Sequence, residues 1–154
     1  MNTQQKEKIL SLLEADRISG DYTKRYWFSY HDYLNPTDGF TDFSCERLDG
    51  KREYIALIEN LLRKEETAEI YVEVYGLEDV DERCITADTL ILFSRLPLME
   101  IEEIFNEPED IFPSEIGEIT DFTRPTFLIG DNGELIPGTK LLSEDFSVYY
   151  CWWD

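Results

Sequence analysis

The sequence predicts an α+β fold in which N-terminal helices pack on a mostly antiparallel sheet of about five strands. Three observations predict it. Helical apolar patterns come first along the chain, strand-like patterns dominate the remainder, and an Asp-Asn-Gly turn joins two of the later apolar runs. The 154 residues suit one ordinary domain, and we see no internal repeat or linker rich in Pro, Gly or Ser. We therefore expect residues 1–154 to form a single domain.

The N-terminal third predicts one clear helix and one ambiguous segment. Asn2 or Thr3 caps the first helix, which runs to about Arg17, and Gly20 ends it. Its buried side carries Ile9, Leu10 and Leu13, with Leu12 as a further candidate. The tyrosines of residues 22–34 fit both helical spacing and strand alternation, and we favour a helix. Residues 35–39, Asn-Pro-Thr-Asp-Gly, have the composition of a loop.

Two further helices are predicted from apolar stripes. The first begins near Asp49 as its N-cap and buries residues such as Tyr54, Ile58 and Leu61. The second opens at Pro97, turns Ile101, Ile104 and Phe105 inward, and stops at Pro108 and Pro113.

Alternating or β-rich apolar runs predict the strands. They cover residues 69–75, 89–93, 126–129, 134–136 and 146–153. Asn132 and Gly133 favour a hairpin between the third and fourth runs, because Asn-Gly readily adopts the positive φ angles of a tight turn.

Charge is distributed unevenly along the chain. The formal net charge is −20; residues 1–77 contribute −5 and residues 78–154 contribute −15. Residues 96–121 contain nine carboxylates and neither Lys nor Arg. A field of this sign repels phosphate backbones, so we expect no direct binding to nucleic acid.

Composition excludes several other classes. Apolar residues make up 42% of the chain and aromatic residues 14%, too much for an acidic disordered protein. The longest apolar run has six residues, whereas a membrane-spanning helix needs about 20, and the N-terminus lacks a signal-peptide pattern. We expect a cytoplasmic protein that does not associate with membranes.

No motif predicts a metal or a cofactor. Cys45, Cys84, Cys151 and His31 come from four separate segments without the short ligand spacing of zinc sites. The turn at residues 131–134 fails the calcium-loop pattern because Leu128 occupies the first ligand position. The sequence also lacks the glycine-rich phosphate-binding motifs and the common hydrolase motifs.

The single histidine is a weak catalytic candidate. His31 precedes Asp32, but adjacent residues of a helix or strand do not face each other, so the two form no oriented acid–base pair. A surface or interface position is the simpler interpretation.

In size, acidity and layout the chain resembles bacterial immunity proteins of polymorphic toxin systems. The local runs that carry the resemblance are Phe-Ser-Arg-Leu-Pro at 93–97, which leads into the acidic helix, and Tyr-Cys-Trp-Trp-Asp at 150–154. The resemblance implies a non-enzymatic protein that neutralises a basic partner such as a nuclease toxin, with carboxylates covering its active site.

This hypothesis has a defined candidate contact. Its anionic part consists of Glu100, Glu103, Glu107, Glu109 and Asp110, and its apolar anchor is Trp152 or Trp153. Two alternatives remain open: a small carboxylate-dependent enzyme acting on a cationic or sugar substrate, and an acidic scaffold that self-assembles through its aromatic residues.

Overall fold

A computed structural model describes residues 1–43, 50–79 and 84–154. It confirms the α+β class, with four helices and a mixed, mostly antiparallel sheet of eight strands within these ranges. The helices are α1 Thr3–Ser19, α2 Tyr30–Tyr33, α3 Lys51–Lys64 and α4 Leu98–Asn106. The strands are β1 Arg25–Ser29, β2 Thr41–Phe43, β3 Glu69–Asp79, β4 Cys84–Ser94, β5 Glu115–Glu118, β6 Thr126–Ile129, β7 Leu135–Pro137 and β8 Ser147–Trp152. A 3₁₀ turn, Gly138–Leu141, follows β7.

The sheet is larger than the predicted five strands. Its order is β5-β8-β4-β3-β1-β6-β7, with β2 beside the start of β4. The β1–β6 and β2–β4 pairs are parallel and the other pairs are antiparallel. The five predicted strands correspond to β3, β4, β6, β7 and β8. Strands β1, β2 and β5 were not predicted.

The helix prediction for residues 22–34 was wrong over Arg25–Ser29, which form β1 at the centre of the sheet. Tyr26 and Phe28 pack into the core on one face of the sheet, and Trp27 packs into a second core on the other. A strand buried on both faces has no polar side to reveal its alternation. Tyr22 and Tyr26 therefore fitted a helical period only by coincidence, whereas Tyr30 and Tyr33 do belong to a helix, α2.

Most of the residues predicted to begin or end a helix do so in the structure. Asn2 caps α1 by accepting a hydrogen bond from the Gln5 backbone at 2.9 Å, and Gly20 ends it with φ +70°. Gly50 precedes α3, and the predicted cap Asp49 lies outside the described residues. Pro97 precedes α4 as predicted.

The two faces of the sheet have different coverings. The face that we call the helix face packs against α1, α3 and α4 and carries the larger core, which includes Phe28, Leu90 and Cys151. The opposite face, which we call the open face, carries a smaller core around Trp27 and Phe93, covered by residues such as Phe122 and Leu141. A depression on the same face is lined by both polar and apolar residues, including Glu115, Asp121 and Trp152.

None of the helices in the described ranges combines the length and the apolar character that crossing a bilayer requires.

Candidate functional site

The five acidic residues predicted to contact a partner are all exposed. We call Glu100, Glu103, Glu107, Glu109 and Asp110 the acidic surface. Helix α4 turns Ile101, Ile104 and Phe105 into the helix-face core, as predicted, and leaves Glu100 and Glu103 exposed to solvent. The packing of α4 thus places a row of carboxylates outside the fold.

None of the five carboxylates forms an ion pair with a described residue. The ion pairs in the described ranges join Met1 and Lys6 to Asp38, and the others involve residues of α1, β1 and β3. Glu107 sits at the C-terminal end of α4, where the helix dipole disfavours a negative charge. Glu100, in the first turn of α4, is stabilised by the helix dipole, but no ion pair among the described residues offsets the charges of the other four.

Two exposed apolar side chains accompany the acidic surface. Met99, on the first turn of α4, is 70% exposed, and Phe112, just beyond Asp110, is 41% exposed. Exposed Met and aromatic residues beside charged groups are typical of protein interfaces.

The two candidate anchors have different environments. Trp153 is 1% exposed in the helix-face core, stacks edge-on with Tyr54 and donates its indole N–H to the Ile111 carbonyl at 3.0 Å. It has no surface to offer a partner. Trp152 is half-buried on the open face, and its indole N–H donates to Asp88 Oδ2 at 3.1 Å.

The structure therefore does not bring the acidic surface and Trp152 together. Helix α4 packs on the helix face, whereas Trp152 shares the open face with other carboxylates that sequence reasoning did not single out. Trp152 lies opposite Glu115 of β5 in the strand register.

Around Trp152 lies a depression of about 550 Å³, which we call the carboxylate groove. Its acidic residues are Glu73, Glu115, Glu118 and Asp121. The hydroxyl of Tyr150 donates a hydrogen bond to Glu115. Hydrogen bonds from the backbone and side chain of Thr123 lower the pKa of Asp121. That shift is opposite to the raised pKa expected of a general acid.

A second depression of about 590 Å³, which we call the tyrosine cleft, lies between the end of α1 and strands β1 and β3. Asp16 accepts a hydrogen bond from the Tyr26 hydroxyl at 2.7 Å and pairs with Lys24 at 3.3 Å. Burial and these acidic contacts raise the pKa of Tyr26. The cleft and the groove share Arg25, Glu73 and Arg124.

The other described residues considered for catalysis or metal binding line neither the groove nor the cleft. His31 is exposed, and its ring contacts that of Tyr30 in a tilted arrangement with centroids 3.9 Å apart. The carboxylate of Asp32 accepts a hydrogen bond from Gln5 and not from His31. Burial raises the pKa of the Cys151 thiol, and Cys45 lies outside the described residues. Within the described ranges no three His, Cys, Asp or Glu side chains converge to hold a metal ion.

No protein-family model, curated protein or solved structure matches the chain.

Proposed function

We propose that the protein binds a basic protein partner through the acidic surface on α4 and the segment that follows it. The observation that carries this proposal is a set of five exposed carboxylates without an ion pair in the described residues. Opposite charge on a partner would offset their mutual repulsion and accelerate association.

The spacing of these carboxylates along the helix suits a partner that presents several Lys or Arg side chains. Glu100, Glu103 and Glu107 are three and four residues apart, so they form one row along α4. Lys and Arg side chains that otherwise bind phosphates would pair with such a row. Met99 and Phe112 supply the apolar contact that slows dissociation.

Within this role, the resemblance to immunity proteins suggests an inhibitor that neutralises a toxin, such as a nuclease with a basic active site. Carboxylates then occupy the positions of substrate phosphates. A protein of net charge −20 would meet such an enzyme rapidly at low salt.

The test has two steps. Proteins that the immobilised chain retains from a lysate of its native host at low ionic strength are eluted with salt, and the activity of each purified basic protein is measured with and without added chain. We expect inhibition that is complete at a one-to-one ratio. A retained basic protein that keeps its full activity at saturating chain would contradict the inhibitor role.

A further inference from the structure

Four of the 14 Lys and Arg residues of this acidic chain line the tyrosine cleft. They are Arg17 of α1, Lys24 just before β1, Arg25 at the start of β1, and Arg124 from the segment before β6. The volume of the cleft, about 590 Å³, lies in the range of sites for small molecules. Cations are thus concentrated at one cavity of a protein that is otherwise acidic.

Three of these cations have a carboxylate partner. Arg17 pairs with Glu14 at 2.6 Å, Lys24 with Asp16 at 3.3 Å, and Arg25 with Glu73 at 3.5 Å. Their positive charges are therefore compensated locally.

Arg124 differs from the other three. Its guanidinium donates to the main-chain carbonyl oxygens of Tyr22, at 3.1 Å, and Thr23. No carboxylate of the described residues forms an ion pair with it. Carbonyl oxygens orient the guanidinium without neutralising it, so Arg124 presents a fixed positive charge.

Arg25 lies beside the same junction. Arg25 and Arg124 both line the cleft and the carboxylate groove, so both lie where the two cavities join. The Nε of Arg25 is buried and donates no hydrogen bond to the described residues, although it lies 3.5 Å from Glu73 in an ion pair. The same Glu73 oxygen accepts a hydrogen bond from the Trp27 indole at 3.1 Å. The junction therefore holds one guanidinium nitrogen without a hydrogen-bond acceptor among the described residues.

Two tyrosines on the lining of the cleft are exposed. Tyr22 is 67% exposed and Tyr75 is 79% exposed, values that stand out in a chain whose other tyrosines are buried or half-buried. Their rings offer apolar faces on which a planar group can stack.

From these observations we propose that the cleft binds a small molecule that carries one oxyanion group and one planar ring. The oxyanion pairs with Arg124 and Arg25, since a guanidinium matches the two oxygens of a carboxylate or phosphate. The ring lies against Tyr22 and Tyr75. This site is separate from the acidic surface and does not depend on the partner proposed for it.

The probes are phenyl phosphate and benzoate, which carry the two kinds of oxyanion on the same ring. Phenol and inorganic phosphate each lack one of the two features. Binding is followed at low salt by ¹H–¹⁵N NMR of the full chain. We expect at least one of the first two probes to shift the amides of residues 22–26, 73–76 and 124 saturably, and the stronger binder identifies the oxyanion. Phenol and phosphate should bind at least about tenfold more weakly.

Substitutions separate the two parts of the site. Arg124→Gln should weaken binding by about tenfold or more, and Tyr75→Ala by about two- to tenfold. Tyr75→Phe, which keeps the ring, and Arg52→Gln, an exposed cation of α3, should bind as the wild type does. The amide spectrum of each variant reports its fold. The proposal is overturned if neither probe gives saturable shifts, or if Arg124→Gln and Tyr75→Ala both bind like the wild type.

Discussion

Trp152 and Trp153 show how far single residues could be predicted. Strand alternation predicted opposite orientations for them. It could not say which side chain enters the core, because that depends on which face of the sheet the helices cover. In the structure Trp153 packs with Phe43, Tyr54 and Phe105 on the helix face, and Trp152 stays at the open face.

The two tryptophans should differ in their contribution to stability. We expect Trp153→Ala to lower the free energy of unfolding by about 3–5 kcal/mol, because it leaves a large cavity and removes the hydrogen bond to Ile111. Trp152→Ala should cost about 1–2 kcal/mol, since its side chain is half-buried. Urea denaturation of both variants measures the difference. Equal losses would contradict the assignment of Trp153 to the core.

Asp38 should make stability depend on pH. Burial opposes its ionisation, but hydrogen bonds from the Phe40 backbone, the Met1 amino group and Lys6 outweigh this effect and lower its pKa. An unfolded Asp has a pKa of about 3.9. The stabilisation is therefore present above that pH and is lost as the pH falls through the lower folded value.

The pH prediction is tested with Asp38→Asn. Its unfolding free energy should lie below that of the wild type at pH 7, and the gap should narrow below about pH 4. Glu7→Gln, at an exposed position of α1, serves as the control and should show no such narrowing. A gap that is constant from neutral to acidic pH would contradict the role given to Asp38.

At the scale of elements, the sequence predicts amphipathic helices and long strands better than short or fully buried ones. Helices α3 and α4 have an apolar stripe, so their patterns suffice. Helix α1 buries Gln5, Ile9 and Asp16 and is recognised more by its ends, Asn2 and Gly20, than by an apolar stripe. Strand β5 lies at the edge of the sheet and has four residues, of which only Ile116 is apolar, too few to show an alternating pattern. Strand β2 has only three residues, too few for a period.

Turn glycines give an element-scale prediction. Gly20 at the end of α1 and Gly133 in the β6–β7 hairpin both have positive φ, +70° and +75°. A Cβ at Gly20 would meet nothing within 4 Å, whereas one at Gly133 would lie 3.1 Å from the Gln4 carbonyl oxygen of α1. Gly20→Ala should cost about 1 kcal/mol from backbone strain alone, and Gly133→Ala should cost more.

Thermal or urea unfolding of the two glycine variants measures which of them loses more stability. Gly39→Ala is the matched control, because its surroundings are open and its φ is not in the left-handed region, so its stability should stay within about 0.5 kcal/mol of the wild type. If Gly133→Ala were no more destabilised than Gly20→Ala, the close packing of the hairpin on α1 would be contradicted.

At the scale of the whole molecule, the sequence predicts the amount and sign of the charge but not its grouping in space. Residues 96–121 form one acidic stretch in the sequence, yet the fold divides it between the acidic surface beside α4 and the carboxylate groove of the open face. Arg124 meets Tyr22 and Thr23 across about a hundred residues, a contact that no local pattern encodes. The acidic surface was therefore predictable, whereas the two cavities were not.

The central claim, that the acidic surface binds a basic partner, is tested by association rates of the purified partner measured by stopped flow at low ionic strength. Two triple variants are compared with the wild type: Glu100→Lys/Glu103→Lys/Glu107→Lys on α4, and Glu7→Lys/Glu66→Lys/Glu144→Lys at exposed positions elsewhere. Each substitution adds two charges, so three of them change the net charge of both variants from −20 to −14.

We expect the α4 variant to associate at least about tenfold more slowly than the wild type, and the control variant to stay within about threefold of it, because close opposite charges steer association more than distant ones. Rates for the α4 variant equal to those of the wild type, or slowed no more than those of the control, would contradict the claim.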